Sequence, residues 1–211
     1  MGWLGVLLNG SRCGGCGAHG WSPCPDCVAG LRLPPSLDVV GAKTAEALCS
    51  HEGTGRRLVH ALKFADDRRI ARWFGQSLAP TVGEAGPIDV VTWMPTTPGR
   101  RAARGYDQAE RVAVALGRSL SLPVRAVLVR RSGVQTGFER SLRLAGPRFD
   151  SVRLVRGRRV VVVDDVVTTG GTAIAAVEAL RSAGAVEVHA RFCSGTAATI
   201  EGLVRPGRAS A

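Results

Sequence analysis

The sequence predicts an α/β domain built on a parallel sheet, preceded by a small module held by four cysteines. Three observations carry this. Strand-like and helix-like stretches alternate along most of the chain, as they do in βα units. The run Val160-Val161-Val162-Val163 is β-branched throughout, which marks a strand covered on both faces. Four of the six cysteines fall in two Cys-x2-Cys pairs near the start. At 211 residues, 45% of them apolar, the chain is long enough for one core and a small appendage.

Residues 1–35 make up the cysteine-rich module, with no helical or strand period and with Leu33-Pro34-Pro35 as its closing linker. Residues 36–195 make up the α/β domain, and residues 196–211 form an uninformative tail. Met1–Leu8 is apolar but too short to span a membrane. It also lacks the basic start and small-residue cleavage site of a secretory leader. A cytoplasmic protein with no membrane span is expected.

Within the domain, Leu58, Val59 and Leu62 predict a helix over about 55–64, and a second covers about 68–78. Ile88–Met94 reads as a strand ended by Pro95, Gln108–Leu120 as an Ala-rich helix, and Val124–Val129 as a strand. Ser132–Arg158 is long, Arg-rich and aperiodic, which predicts a mobile loop or a β-excursion. Val160–Val163, Thr172–Ala183 and Val186–Phe192 follow as strand, helix and strand, the helix stopped by Gly184.

The charge is unevenly distributed. The chain carries a formal +11, and the segment from Gly99 to Arg159 alone holds 15 Arg against four acids. The remainder is balanced. Such a concentration suits an anionic partner: phosphate, pyrophosphate or nucleic acid. Base composition accounts for Arg over Lys, since Lys43 and Lys63 are the only lysines. It does not account for the confinement of the surplus to one third of the chain.

The two cysteine pairs are Cys13-Gly-Gly-Cys16 and Cys24-Pro-Asp-Cys27. Each places two thiolates on a tight turn, and four thiolates suit a tetrahedral Zn2+. A segment of this length cannot fold on a core of its own, so a metal is physically required. Disulfides fit poorly with a chain lacking a secretion signal. Iron–sulfur ligation is the other metal reading, and the symmetric knuckles favour zinc. His19 reads as a turn residue, and Cys49 and Cys193 as buried thiols.

The most specific stretch runs from Val160 to Thr172. Ligands of parallel sheets bind at the carboxyl ends of strands, where Asp164 and Asp165 fall. Two threonines and two glycines then lead into a helix whose free N–H groups and positive dipole end attract anions. Carboxylates beside a phosphate cradle point to a ribose-5-phosphate pocket. Neither a Gly-Lys-Ser/Thr phosphate loop nor a G-x-G-x-x-G turn is present.

This stretch resembles the 5-phosphoribosyl-1-pyrophosphate (PRPP) signature of type I phosphoribosyltransferases, which implies a Rossmann-like parallel-sheet fold. By that resemblance Asp164 and Asp165 are the catalytic acids that hold the ribose 2′- and 3′-hydroxyls. Val166, Val167, Thr168, Thr169, Gly170, Gly171 and Thr172 would hold the 5′-phosphate.

A second motif, Arg104-Gly105-Tyr106-Asp107-Gln108-Ala109, follows a strand, Pro95 and the basic pair Arg100-Arg101. It resembles the Arg-Gly-Phe-Asn-Gln-Ala motif of the ComF family, named for a competence protein. That family joins a four-cysteine zinc-ribbon module to a phosphoribosyltransferase-like domain. Leu62-Lys63-Phe64, and Gln135 with Arg143, are further marks of the likeness. Arg100 and Arg104 would grip the pyrophosphate, which guanidinium groups can do bidentately. The departures are Asp107 where the family has Asn, Trp93 in place of a proline, and Gly146 where a second Asn is expected.

The resemblance leaves two functions open. One is a Mg2+-dependent transferase that displaces pyrophosphate from PRPP with a nitrogen nucleophile. Such chemistry needs charge stabilisation and water exclusion more than a nucleophilic side chain. Mg2+ would be held largely by ligand oxygens and water. The other is a non-catalytic DNA-uptake component that binds single-stranded DNA or a helicase-type partner. The scarcity of aromatic residues tells against base-stacking platforms.

Overall fold

The computed structural model describes residues 12–131, 148–151 and 155–196. Gln135, Arg143 and Gly146 lie outside the described residues.

Four parallel strands make the main sheet, β1 (Thr44–Ser50), β2 (Val90–Trp93), β5 (Arg159–Val167) and β6 (Glu187–Gly195), in the order β1-β6-β5-β2. A two-stranded antiparallel ribbon pairs β3 (Leu128–Arg131) with β4 (Arg148–Ser151). The helices are α1 (Pro25–Ala29), α2 (Gly53–Phe64), α3 (Arg68–Gly83), α4 (Pro98–Arg104), α5 (Gln108–Leu120) and α6 (Gly171–Ser182).

The strand alternation decides what each helix covers. On β5, Val160 and Val162 join Ala176, Val177 and Leu180 of α6 in one core. Val161 and Val163 join Leu58 and Leu62 of α2, Phe74 of α3 and Val112 of α5 in a second core on the opposite face. All four valines are fully buried, as a doubly covered parallel strand requires. Among the described residues no helix is long and apolar enough to cross a membrane.

The structure departs from the sequence expectations in four places. The strand expected over Val124–Val129 is only a single parallel bridge, Val124 to Val91, and regular pairing begins at Leu128 in the other sheet. The basic turn around Arg100-Arg101 is a helix, α4, capped by the Thr97 hydroxyl, which accepts from the Arg100 N–H. The first module contains one helical turn, α1, entered through Pro25. Strand β1, absent from the sequence reading, forms one edge of the main sheet.

The cysteine module docks on the domain rather than hanging from it. Ser22 donates to Asp67 Oδ2 at 2.7 Å, and Arg57 Nε donates to the Gly15 carbonyl at 2.5 Å. Arg69 donates to the carbonyls of Arg12 and Gly20. The contacts come from α2, from α3 and from Asp67 between them.

Helices α3 and α5 cross almost backbone to backbone at Gly75. A Cβ there would stand 2.5 Å from Ala115 Cβ and 2.6 Å from the Leu116 backbone nitrogen, neither of which can swing aside. Gly75→Ala is therefore expected to lower stability by about 1–3 kcal/mol, the usual cost of overpacking. A denaturant midpoint identical to wild type would show that the crossing is looser than described.

Candidate functional site

The site is built where β5 ends and α6 begins. Because successive strand residues face opposite sides, Asp164 continues the row of Val160 and Val162, and Asp165 that of Val161 and Val163. The two neighbouring carboxylates therefore serve different surroundings.

Asp164 lies on the α6 side, at a small cavity of about 30 Å3 that Thr168, Thr169, Gly170 and Thr172 also line. Its Oδ1 accepts the Asp165 N–H at 2.8 Å. Burial and the adjoining Asp165 carboxylate push Asp164 well above the ordinary carboxylate range, while the Asp165 N–H and Lys63 pull the other way. A bound cation would favour its charged form. Val166 and Val167 still pair with Ser194 and Gly195 of β6, so the loop begins at Thr168. Thr168 and Thr169 are exposed.

Gly170 caps α6 in the left-handed region, φ +77°, where a Cβ is strained. No side chain caps this helix, and its first turn of N–H groups opens onto the loop. That is the geometry of an anion site.

Asp165 points the other way and is 4% exposed. Lys63 Nζ sits 2.7 Å from its Oδ1, and the Gln108 side-chain amide donates to its Oδ2. Gln108 in turn accepts from Arg104 at 2.9 Å, and the Arg104 guanidinium lies over the Phe64 ring. Tyr106 donates to the Leu62 carbonyl at 2.9 Å. Thus Leu62-Lys63-Phe64 and Arg104–Gln108, distant in sequence, close on each other and on Asp165.

Asp107, a departure from the motif, is 2% exposed and caps α5. Its Oδ1 accepts from Ala109 and Glu110, and its Oδ2 from Thr96 at 2.8 Å. Burial raises its pKa, and these N–H groups counter that. The carboxylate thereby pins the Thr96 turn to the start of α5.

Arg100 is exposed on α4. Its charge acts on Arg130 of β3, whose pKa is lowered by burial and then held up by Asp164. Arg130, over the Phe149 ring, thus shares the electrostatic surroundings of Asp164 and Arg100. Nothing in its sequence context, one of 15 arginines in a basic stretch, marks it.

Residues 104–195 match the phosphoribosyl transferase domain. The match starts at Arg104 and ends with β6, so it holds the Asp165 network except Leu62-Lys63-Phe64, and the whole of the β5–α6 loop. An adenine phosphoribosyltransferase of Novosphingobium aromaticivorans is 41% identical over 93 residues, 43% of this chain and 51% of that one. An amidophosphoribosyltransferase of Mycobacterium tuberculosis is 36% identical over 140 residues, 65% of this chain and 23% of that one. An orotate phosphoribosyltransferase of Streptomyces coelicolor is 45% identical over 73 residues, 35% and 34% of the two chains. The chain spans about half the length of the first and under a quarter of the second. Among solved structures, a B. subtilis glutamine PRPP amidotransferase complexed with ADP and GMP aligns at 28% identity with a TM-score of 0.47. That alignment covers 64% of this chain and 30% of that one.

The four module cysteines form a second site. Their sulfurs all lie within 4.8 Å of one another, with Cys13–Cys27 at 3.7 Å and Cys16–Cys24 at 3.6 Å. Thiolates about 2.3 Å from one tetrahedral ion stand about 3.8 Å apart, so the set fits zinc. Burial opposes ionisation of Cys13, yet the N–H groups of Cys24, Cys16 and Gly15 outweigh it and bring the thiol down to about 6. Cys49 and Cys193 are fully buried and lie outside this cluster.

Proposed function

We propose that this protein binds PRPP with Mg2+ at the end of β5 and transfers its phosphoribosyl group to a nitrogen nucleophile, releasing pyrophosphate. The observation that carries this is the turn from Asp164 through Gly170 into α6. It sets a carboxylate and a helix N-terminus on one small cavity, within the stretch that matches the phosphoribosyl transferase domain.

Asp164 accepts the ribose hydroxyls, and the N–H groups at the start of α6 receive the 5′-phosphate. Arg100 and Arg130, the latter within reach of the Asp164 and Arg100 charges, attract the pyrophosphate and stabilise it as it departs. Arg104 is committed to Gln108 and Phe64, so it acts on the ligand through the Asp165 network. Bound Mg2+ would neutralise charge on the pyrophosphate, and Asp164 is the carboxylate that would hold it. Lys63 and Gln108 fix Asp165, and with it the end of β5, from behind.

The ComF-type assignment is the finer part of the proposal. The docking of the cysteine module on α2, the helix that carries Lys63, supports it. The alternative function, a non-catalytic DNA-uptake component for single-stranded DNA or a helicase-type partner, draws on the exposed arginines. Pyrophosphate release from PRPP across a panel of bases supports the transferase. Salt-sensitive binding to single strands without turnover supports the alternative.

The pocket is tested by calorimetry with PRPP and Mg2+ on wild type and Gly170→Val. A β-branched side chain at φ +77° is strained and fills the loop. Binding is expected in wild type and should be lost at millimolar ligand in the variant. A wild type that binds nothing, or a Gly170→Val protein that binds as well, overturns the pocket.

A further inference from the structure

Helices α3 and α5 diverge from their crossing at Gly75 to form a groove of about 840 Å3 on the outer surface. Arg68 and Arg72 of α3 and Arg118 of α5 are exposed along its rims, and none of the three has an ion-pair partner among the described residues. Arg101 and Arg111 also line it but are paired, with Glu110 and Asp66 respectively. Elsewhere Arg131 pairs with Asp150 and Arg158 approaches Asp89, whereas Arg68, Arg72 and Arg118 gather unpaired charge on one groove.

The floor of the groove decides between anionic partners. It is small and aliphatic: Ala71 is buried, and Val114 and Ala115 are partly buried. Among the described residues the only aromatic one there is Tyr106. Its ring is covered by the Arg111 guanidinium at 3.8 Å, and its hydroxyl is spent on the Leu62 carbonyl. Among the described residues no second ring lines the groove to make a stacking platform, and single-strand binding draws much of its affinity from such stacking. A shallow aliphatic floor between two helices suits the apolar stripe of a third helix. Arg68 and Arg72 stand four residues apart, about 6 Å along the axis, which matches carboxylates at i and i+4 of an opposing helix. A second copy of this chain docking through the same face would set arginine rim against arginine rim.

We propose that the α3–α5 groove is a docking site for an acidic amphipathic helix of a partner protein, with carboxylates on Arg68, Arg72 and Arg118 and an apolar stripe on Ala71, Val114 and Ala115. Its far end is formed by Arg101, Gly105 and Tyr106, the outer side of the segment that carries Arg104 and Gln108. A helix seated there touches the support of Asp165 from outside without entering the β5–α6 loop.

The test uses a labelled 18-residue helical peptide with glutamates at i, i+4 and i+7 beside an Ala/Leu stripe, titrated by fluorescence anisotropy. A control peptide of the same composition has its glutamates spread around the helix, and an oligothymidylate of matched charge is the third probe. The facial peptide is expected to bind more tightly than both. The double variant Arg72→Glu/Arg118→Glu is expected to weaken that binding tenfold or more, with its thermal midpoint and its response to PRPP unchanged. Equal binding of the control peptide, or no effect of the double variant, overturns the proposal. Tighter oligothymidylate binding that the variant abolishes assigns the groove to nucleic acid instead. A dimer in sedimentation that the variant dissociates assigns it to a second copy.

Discussion

Purified protein is expected to carry one zinc ion per chain, and removing it should lower the stability of the fold sharply. Cys13, Cys16, Cys24 and Cys27 already stand at the separations that a tetrahedral ion imposes. Four thiols drawn together without a metal would be mutually repulsive once ionised. Metal binding in isolated zinc modules contributes about 10–16 kcal/mol of apparent free energy, which here is the ceiling. The module's contacts through Ser22, Gly15 and Gly20 hold part of it in place regardless. If a quarter of that ceiling is lost, about 3 kcal/mol, the thermal midpoint falls by about 6–12 °C in a chain of this size. Cys16→Ser should behave like chelation, because Cys16 is exposed and its replacement disturbs no core. Metal analysis finding no zinc, or a Cys16→Ser protein with full metal and an unchanged midpoint, would refute the site. Because the module packs on α2 and α3, its loss is expected to reach the Lys63–Asp165 pair as well. PRPP affinity should fall modestly, and full retention would show that the module serves other partners alone.

How far the sequence could be read depended on how strongly each residue's environment constrained its type. Strand β5 was legible because both faces are covered, so the four residues Val160–Val163 before Asp164 had to be apolar and strand-forming. The cysteine pairs were legible because few arrangements other than metal ligation place four thiols so regularly. Strand β1 escaped because it lies at a sheet edge and carries polar side chains. Thr44 bonds the His189 ring at 2.9 Å and accepts from the buried Arg191, whose guanidinium also reaches Glu46. A polar row that satisfies a buried arginine on the next strand looks like a surface loop when read alone. The split between Asp164 and Asp165 was, by contrast, implicit in the alternation of any strand. It became visible only once each face had a named helix against it. Asp107, a departure from the family's Asn, proves to be a helix cap with three backbone donors. Arg130 was invisible because its surroundings come from the ribbon, which sets it over the Phe149 ring on the paired strand.

Asp164→Asn and Asp165→Asn are expected to fail in different ways, although the residues are adjacent and the substitutions identical. Asp164 is partly exposed at the loop cavity and its carboxylate has one internal donor, the Asp165 N–H. Replacing it relieves the repulsion between the two carboxylates, so the fold should be unharmed or slightly steadier. It also removes a charged acceptor from the ribose. Hydrogen bonds to charged groups contribute roughly 1.5–3 kcal/mol, so PRPP affinity should fall about 10- to 150-fold. Asp165 is buried, with Lys63 on one oxygen and Gln108 on the other. Asn there leaves the Lys63 ammonium without its counter-charge and sets an amide donor against a lysine or an amide. Breaking a buried pair from one side costs about 3–5 kcal/mol, and because Lys63 retains some exposure the loss should fall at or below the lower end of that range. The thermal midpoint of Asp165→Asn should therefore drop while its folded fraction keeps a measurable affinity for PRPP. Calorimetry and thermal unfolding on both variants separate the two outcomes. If Asp164→Asn binds PRPP as wild type does, Asp164 is not the ribose acceptor. If Asp165→Asn keeps full stability and loses binding outright, the carboxylate facing Lys63 turns toward the ligand, and the division of labour argued from the strand is wrong.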